Sequence, residues 1–410
     1  DFQKVRELPG FFKSIYDWAQ QEKYPQKATL RSAIEQADHN IASYLQELEN
    51  MPKQYHFALG QEQAAEVIRL RGIDLSIEAL HQLATHFLLE TEEQIEELRQ
   101  KLCVKYKLPQ ETTAEGLQEF FNQKFKVPLV NNELKSILDR YQQEKTKVLS
   151  FIKERDLFPI FEEQDMIIMQ TPAFMEPSIP AGAMVSPPPF REGIRKSLIY
   201  LTLKESLLDE HTELGIPIMM IHEGIPGHHL QLASAGKHPS VIRKAFEAMD
   251  HAEGWTTMLE DYMLDVGYLG DLTDEGRFIA KREICRLGAR VAIDLYFMTG
   301  EPKYLDVGIK VDLDSDDPFV NAAKLLKKVT GFTDDRVQAE LNWYSMEQGY
   351  PLSYLTGNHL VKQLKQDLIQ AQHGKLEGLE LDRLFHKIYI ESGSMPVSFL
   401  RRVFQQEGLI

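Results

Sequence analysis

The sequence predicts a mainly α-helical chain with a small antiparallel β-sheet, and three observations predict it. Residues 1–155 carry apolar side chains three and four apart, as in Leu80, Leu83, Phe87 and Leu88, amid Glu, Gln, Leu, Ala and Lys. Residues 157–203 lose that texture and hold two short β-leaning apolar runs around a proline-dense segment. Helical texture returns near residue 204 and continues to the end.

In chain order, residues 1–155 read as a helical N-terminal region punctuated by Pro52, Pro109 and Pro128. The Gln- and Glu-rich stretch at 91–100 reads as a solvated helix face. The runs at 166–170 and 197–203 read as strands. Between them Pro172, Pro177, Pro180, Pro187, Pro188 and Pro189 forbid a helix and point to an extended loop. Past 204, breaks near 236–240, 267–274, 300–318 and 349–351 separate further helices. Asp312, Asp314, Asp316 and Asp317 lack the glycine and distal Glu of a calcium loop, so they read as a solvated turn. Residues 156–410 form a second region, continuous with the first in one domain. No internal repeat is evident.

Length and charge narrow the function. A chain of 410 residues suits one large enzyme domain or two moderate ones. Lys and Arg total 46 against 62 acids, a net charge of −16, and no basic patch offsets it. Such a surface repels phosphate backbones, so nucleic acid is not an expected partner. Cys103 and Cys285 have no metal-ligand spacing and cannot build a disulfide framework. They favour the cytoplasm, with an exported form expected only if an N-terminal signal has been removed ahead of Asp1. No apolar run approaches the roughly 18–20 residues of a membrane span, so stable membrane insertion is not expected.

One segment concentrates chemistry. His222, Glu223, His228 and His229 fall within eight residues, after an apolar run at 216–221 that suits a buried helix starting near Pro217. Two histidines at i and i+4 with a Glu between them make a zinc site on one helix face. Here the i+4 position is Pro226, which cannot bond the His222 carbonyl and crowds it, while Gly224 and Gly227 permit a distorted turn. Looping out two residues brings His228 to the ligand position, and looping out three brings His229. Gly227 leaves room for close approach, which favours His228. A third ligand is expected from a helix over 240–266, with Ser240 as its cap and Gly267 beyond its end. That stretch carries Asp250, His251, Glu253, Glu260 and Asp261. Glu253 would complete a His2Glu set with one open position, and Glu260 lies two turns further along the same face.

His-Glu-x-x-Pro-Gly-His-His-Leu-Gln at 222–231, then Glu-Gly-Trp at 253–255 and Glu260, resemble the signature of a large, poorly characterised bacterial family of predicted zinc metallopeptidases. That family is similar in plan to the helical gluzincins: angiotensin-converting enzyme, the thimet-type oligopeptidases and the thermostable carboxypeptidases. The resemblance spans roughly 160–405 and includes Gly349, Tyr354, Gly357 and the Ser-Gly-Ser-Met-Pro run at 392–396. It implies a helical zincin-like fold, with the small sheet beside the zinc helix and a deep cleft over the metal. It implies one Zn2+ on His222, His228 and Glu253, since those relatives place the third ligand about 25 residues after the second histidine. It also implies Glu223 as general base and a tyrosine opposite the metal, for which Tyr354 is the match and Tyr350 the reserve. The chain departs from the relatives at Trp343, where they carry Arg, at 348–350, where they carry Pro-Gly-Gln, and at Met298, where they tend to carry His.

The expected activity is zinc-dependent hydrolysis of short peptides, carboxypeptidase- or oligopeptidase-like. Hydrolysis of a non-peptide amide or ester, and a catalytically silent helical scaffold, are the competing expectations. A carboxypeptidase needs a cation for the substrate's terminal carboxylate. Arg286 and Arg290 are candidates, with ion pairing to the chain's own acids as the competing role.

Overall fold

A computed structural model describes residues 2–52, 57–172, 175, 176, 179 and 182–410, without the side chains of 2–4, 210 and 335. Pro177 and Pro180 of the expected extended loop lie outside the described residues. The chain is mainly helical, and among the described residues it holds one three-stranded sheet and no helix long and apolar enough to cross a membrane.

Helices α1 (Phe2–Gln21) and α2 (Lys27–Asn50) pack on each other, and an Arg6–Glu49 pair at 3.1 Å joins their distant ends, fixing them antiparallel. Helices α3 (Gln61–Leu70), α4 (Ile77–Tyr106), α5 (Ala114–Lys124) and α6 (Lys135–Arg155) follow. Ser76 and Thr113 start α4 and α5 by accepting the Ala79 and Gly116 N–H groups. The strands are β1 (Gln164–Gln170), β2 (Gly182–Val185) and β3 (Arg195–Leu201). After them come α7 (Gly215–Glu223), α8 (His228–Ala235), α9 (Val241–Ala245), α10 (Met249–Asp265), α11 (Thr273–Ile284) and α12 (Arg286–Thr299). The chain closes with α13 (Pro318–Thr330), α14 (Asp334–Met346), α15 (Ser353–Gln372), α16 (Gly378–Glu391) and α17 (Val397–Gln406).

The apolar stripes of α3 and α4 are spent on the C-terminal region. Ala64, Ile68, Leu80, Ala84 and Leu88 share one buried cluster with Leu287, Val291 and Leu295 of α12. Likewise α6 packs on β1 and α7, so the chain from α3 onward shares its cores across residue 155. Helix α7 is apolar nearly all round and buried, as a helix enclosed on every side must be. It begins at Gly215, with Pro217 in its first turn, where a missing N–H costs nothing.

Two expectations need correction. The sheet is mixed rather than wholly antiparallel. β3 lies between β1 and β2, antiparallel to β2 but parallel to β1. The cause is β2, a four-residue strand inside the segment read as loop. The chain reverses once into β2 and again into β3, so β3 regains the direction of β1. The single helix expected over 240–266 is also two, α9 and α10, parted at 246–248. There the 392–394 loop supplies substitute partners: the Ser394 N–H donates to Arg243 O at 2.9 Å, and the Ala248 N–H donates to Ser394 Oγ at 3.0 Å.

Candidate metal centre

The site begins where α7 stops. The backbone leaves the helix after Glu223, passes a cis Ile225–Pro226 peptide and re-enters a helix at His228. Gly227 is obligatory, because a Cβ there would lie 1.9 Å from the His222 carbonyl oxygen. At Gly224 it would lie 2.7 Å from Met220 O. The interruption turns His228 back toward His222, with ring centroids 4.9 Å apart. His229 is carried to the opposite side. Its Nδ1 bonds Ser197 Oγ and its Nε2 bonds Gln164 Oε1, both at 2.6 Å, so both ring nitrogens are spent on the sheet.

Glu253, in the second turn of α10, meets the two histidines. Its Oε2 is 3.6 Å from His222 Nε2 and 3.3 Å from His228 Nε2. One donor atom from each of the three residues lies within 4.8 Å of the others. Glu260 completes the support: its Oε1 is 2.7 Å from His222 Nδ1, which holds the ring with Nε2 facing the cluster. Among the described residues the buried Glu253 Oε2 accepts no hydrogen bond of good geometry, and the two imidazoles face it. Two imidazoles and a carboxylate converging around such an orphaned oxygen fit a divalent cation of the zinc type. Side-chain exposures of 13%, 10% and 6% for His222, His228 and Glu253 leave a narrow opening to solvent. Two surface depressions of about 400 and 540 Å3, beside Lys365 and Lys324 respectively, are lined by none of these residues.

Without a cation the cluster is held by charge. Burial pushes His222 down, but its pairing with Glu253 and Glu260 outweighs it and raises the imidazole to about 10. Burial alone would raise Glu253, yet His228 and His222 hold it well below the usual carboxylate range. Glu223, the last residue of α7, is half-buried next to His222. Among the described residues its carboxylate has no hydrogen-bond or ion-pair partner.

The Glu-Gly-Trp run explains how the neighbouring elements come so close. A Cβ on Gly254 would lie 2.5 Å from the Gly357 backbone, and one on Gly357 would lie 2.1 Å from Asp250 O. Helices α10 and α15 therefore cross in contact at a glycine pair. The Trp255 Nε1–H donates to Pro226 O at 2.9 Å, tying the α7–α8 interruption to α10. At the other end, segment 395–397 grips the start of α10. The Val397 N–H donates to Asp250 Oδ2 at 2.8 Å and the Met395 N–H to His251 Nδ1 at 3.2 Å.

The glycine crossing brings two tyrosines to the centre. The Tyr350 hydroxyl donates to Glu253 Oε1 at 3.3 Å, and the Tyr350 and Tyr354 rings stand 5.8 Å apart. Burial, then the Glu253 charge, keeps the Tyr354 hydroxyl protonated far above its usual range. The Arg290 guanidinium stacks 4.4 Å from the Tyr354 ring centre. Neither candidate arginine is free for a substrate. Arg290 bonds Tyr344 and Glu340, both at 2.9 Å, and Arg286 pairs with Glu283 at 2.8 Å. Sequence reasoning left Asp294 without a role; its signal was an acid alone in the apolar helix α12.

A family model described as Bacterial protein of unknown function (DUF885) matches residues 2–404, and the chain belongs to that family. No curated protein matches the chain. Among solved structures, one from Colwellia psychrerythraea, named a "putative lipoprotein", is similar with a TM-score of 0.75 and 17% identity. The match covers 94% of this chain and 63% of that one, so the chain spans under two thirds of that relative's length. A second, from Shewanella oneidensis and named in the same way as of unknown function, has a TM-score of 0.69 and 16% identity over 99% of this chain and 73% of that one. At such identities the likeness shows the fold alone.

Proposed function

We propose that this DUF885 member is a zinc-dependent hydrolase of peptide bonds in short peptides. The observation that carries the reading is the convergence of His222 Nε2, His228 Nε2 and a Glu253 carboxylate oxygen within 4.8 Å, with Glu260 bonded behind His222. His222, His228 and Glu253 would hold the cation. A zinc ion in such a set supplies a Lewis acid that acidifies water and polarises a carbonyl.

The chain's own groups supply the rest. The Glu223 carboxylate, unpartnered beside His222, accepts the proton of the attacking water and returns it to the leaving amine nitrogen. A tyrosine hydroxyl donates to the oxygen of the tetrahedral intermediate as its charge develops. We assign that role to Tyr354, whose ring stands 5.8 Å from that of Tyr350, with Tyr350, whose hydroxyl meets Glu253, as the reserve. Burial of His222, His228 and Glu253, whose side chains are 6–13% exposed, lowers the local dielectric and strengthens each of these contacts.

Presence of Glu223 favours an enzyme over a scaffold, since a structural site has no need of a base. Both structural relatives are named lipoproteins, which supports export in place of the cytoplasm favoured by cysteine usage. Cell fractionation decides between the two compartments. The activity is tested by digesting a short-peptide library with the zinc-loaded protein and with Glu223→Gln. Cleavage by the first and not the second is expected. Cleavage of esters or non-peptide amides alone would transfer the reading to those substrates, and no cleavage of any class would leave the scaffold.

A further inference from the structure

Between α14 and α15 the chain makes a tight turn at 348–352, and its backbone is held from two separate elements. Asp294 of α12 is fully buried, and its two oxygens are divided between two amides of the turn. Oδ1 accepts the Gly349 N–H at 3.0 Å and Oδ2 accepts the Leu352 N–H at 3.2 Å. Arg71, just past α3, donates from Nη2 to Gln348 O at 2.9 Å, and its guanidinium lies 5.9 Å from the Tyr350 ring centre. Gly349 sits between them at φ +77°, where a Cβ would lie 2.8 Å from Arg71 Nε. The side chain that leaves this turn toward the centre is Tyr350, whose hydroxyl meets Glu253 Oε1.

We infer that Asp294 and Arg71 are positioning residues, which grip the 348–352 turn and so aim the Tyr350 hydroxyl at Glu253. An ordinary turn is held by an Asn or Ser without the cost of burying a carboxylate among Val291, Ile293 and Leu295. A carboxylate offers a separate acceptor oxygen to each N–H, whereas an amide has one acceptor oxygen and would set its NH2 donor against the other N–H. That two-point hold fixes the rotation of the turn, and with it the direction of the tyrosine. Glu253 in turn receives a hydrogen bond that orients its carboxylate, the kind of outer contact whose loss weakens a metal site about tenfold or more.

The metal-affinity arm of the test rests on the zinc reading above; the spectroscopic arm does not. In the first arm, cobalt dissociation constants are measured for the full chain, for Asp294→Asn and for Arg71→Gln. Each is made with Tyr at 350 and again with Tyr350→Phe. Each gripping variant is expected to weaken affinity about tenfold with Tyr350 present and less than twofold with Phe there. Equal losses in both backgrounds, or none in either, would overturn the inference. In the second arm, 3-fluorotyrosine is placed at 350 or at 354 in the metal-free chain and followed by fluorine NMR. Either gripping variant is expected to move the 350 resonance toward that of free fluorotyrosine, and the 354 resonance, from a ring 5.8 Å away, less far. An unmoved 350 resonance would overturn it. Should Asp294→Asn not fold, Arg71→Gln, at a half-buried side chain, decides the question by itself. A wild type that binds no cobalt would defeat the zinc reading and leave the fluorine result to decide this one.

Discussion

Among the described residues Glu223 differs from Glu253 and Glu260 in having no hydrogen-bond or ion-pair partner, and on the proposed function that leaves it to carry the proton while they hold the site. Glu223→Gln keeps the side chain's size and removes its basicity. It is expected to retain fold and zinc and to lose about 10²–10⁴-fold in turnover on short peptides. Undiminished turnover at full zinc content would remove Glu223 from the mechanism. Tyr354→Phe deletes a hydroxyl whose bond strengthens as the oxyanion forms, so kcat should fall more than KM rises. A kcat loss confined to Tyr350→Phe would exchange the roles of the two tyrosines. At this scale the clustering of His222, His228 and Glu253 was legible in part, because His222, Glu223 and His228 are sequence neighbours and the Pro-Gly interruption announces a departure from helix, whereas Glu253 lies 25 residues past His228. The contact of Tyr350 with Glu253 was not legible. It depends on a turn held by Asp294 and Arg71, which stand 56 and 279 residues away from Tyr350 in the chain.

Helix spacing at the centre rests on glycines that admit no side chain. In Gly227→Ala the new methyl would fall 1.9 Å from His222 O, a backbone atom that cannot yield without moving a ligand. The expected result is loss of zinc together with destabilisation of about 3 kcal/mol. Gly357→Ala would wedge α15 from α10 at Asp250 O and draw Tyr350 off Glu253. Denaturant unfolding and zinc content measure both effects, and a Gly357→Ala protein of wild-type stability would refute the account of the crossing. Most element types were readable from periodicity. The two misreadings share a cause. The gap at 246–248 exists because Ser394, 146 residues away from Ala248, supplies a bond that α9 and α10 do not supply themselves. β2 exists because β3 pairs with it, and four residues in a proline-rich stretch carry no period of their own.

Across the whole molecule, buried titratable groups set how folding responds to acid. Burial lowers His229, His251 and His386 to about 3, so each stays neutral in the folded chain while the unfolded chain protonates near 6.5. Burial raises Asp250 and Asp294 to about 7, so these bind protons in the folded chain before the unfolded chain does. Between about pH 6.5 and 4 the unfolded chain thus holds three of these protons and the folded chain two, and stability should fall by roughly 1.4 kcal/mol per unit of acidification. Below about pH 4 the aspartates protonate in both states, while Glu253 and Glu340, held low by their cationic partners, take up protons in the unfolded chain alone, so the loss should steepen. Urea unfolding at several pH values with a chelator present checks this, and stability that rises from pH 6.5 to 4 would contradict it. The helical architecture was legible as a whole, because α3, α4 and α6 advertise the apolar stripes that they spend on α7, α11 and α12. Strand order was not, since it depends on which segments meet and not on what each prefers alone. Elemental analysis after zinc loading and desalting tests the metal centre most directly. One zinc per chain is expected for the wild type and for His229→Ala, and none for His222→Ala, His228→Ala or Glu253→Ala. Zinc retained by His228→Ala but lost from His229→Ala, or no zinc on the wild type, would contradict it.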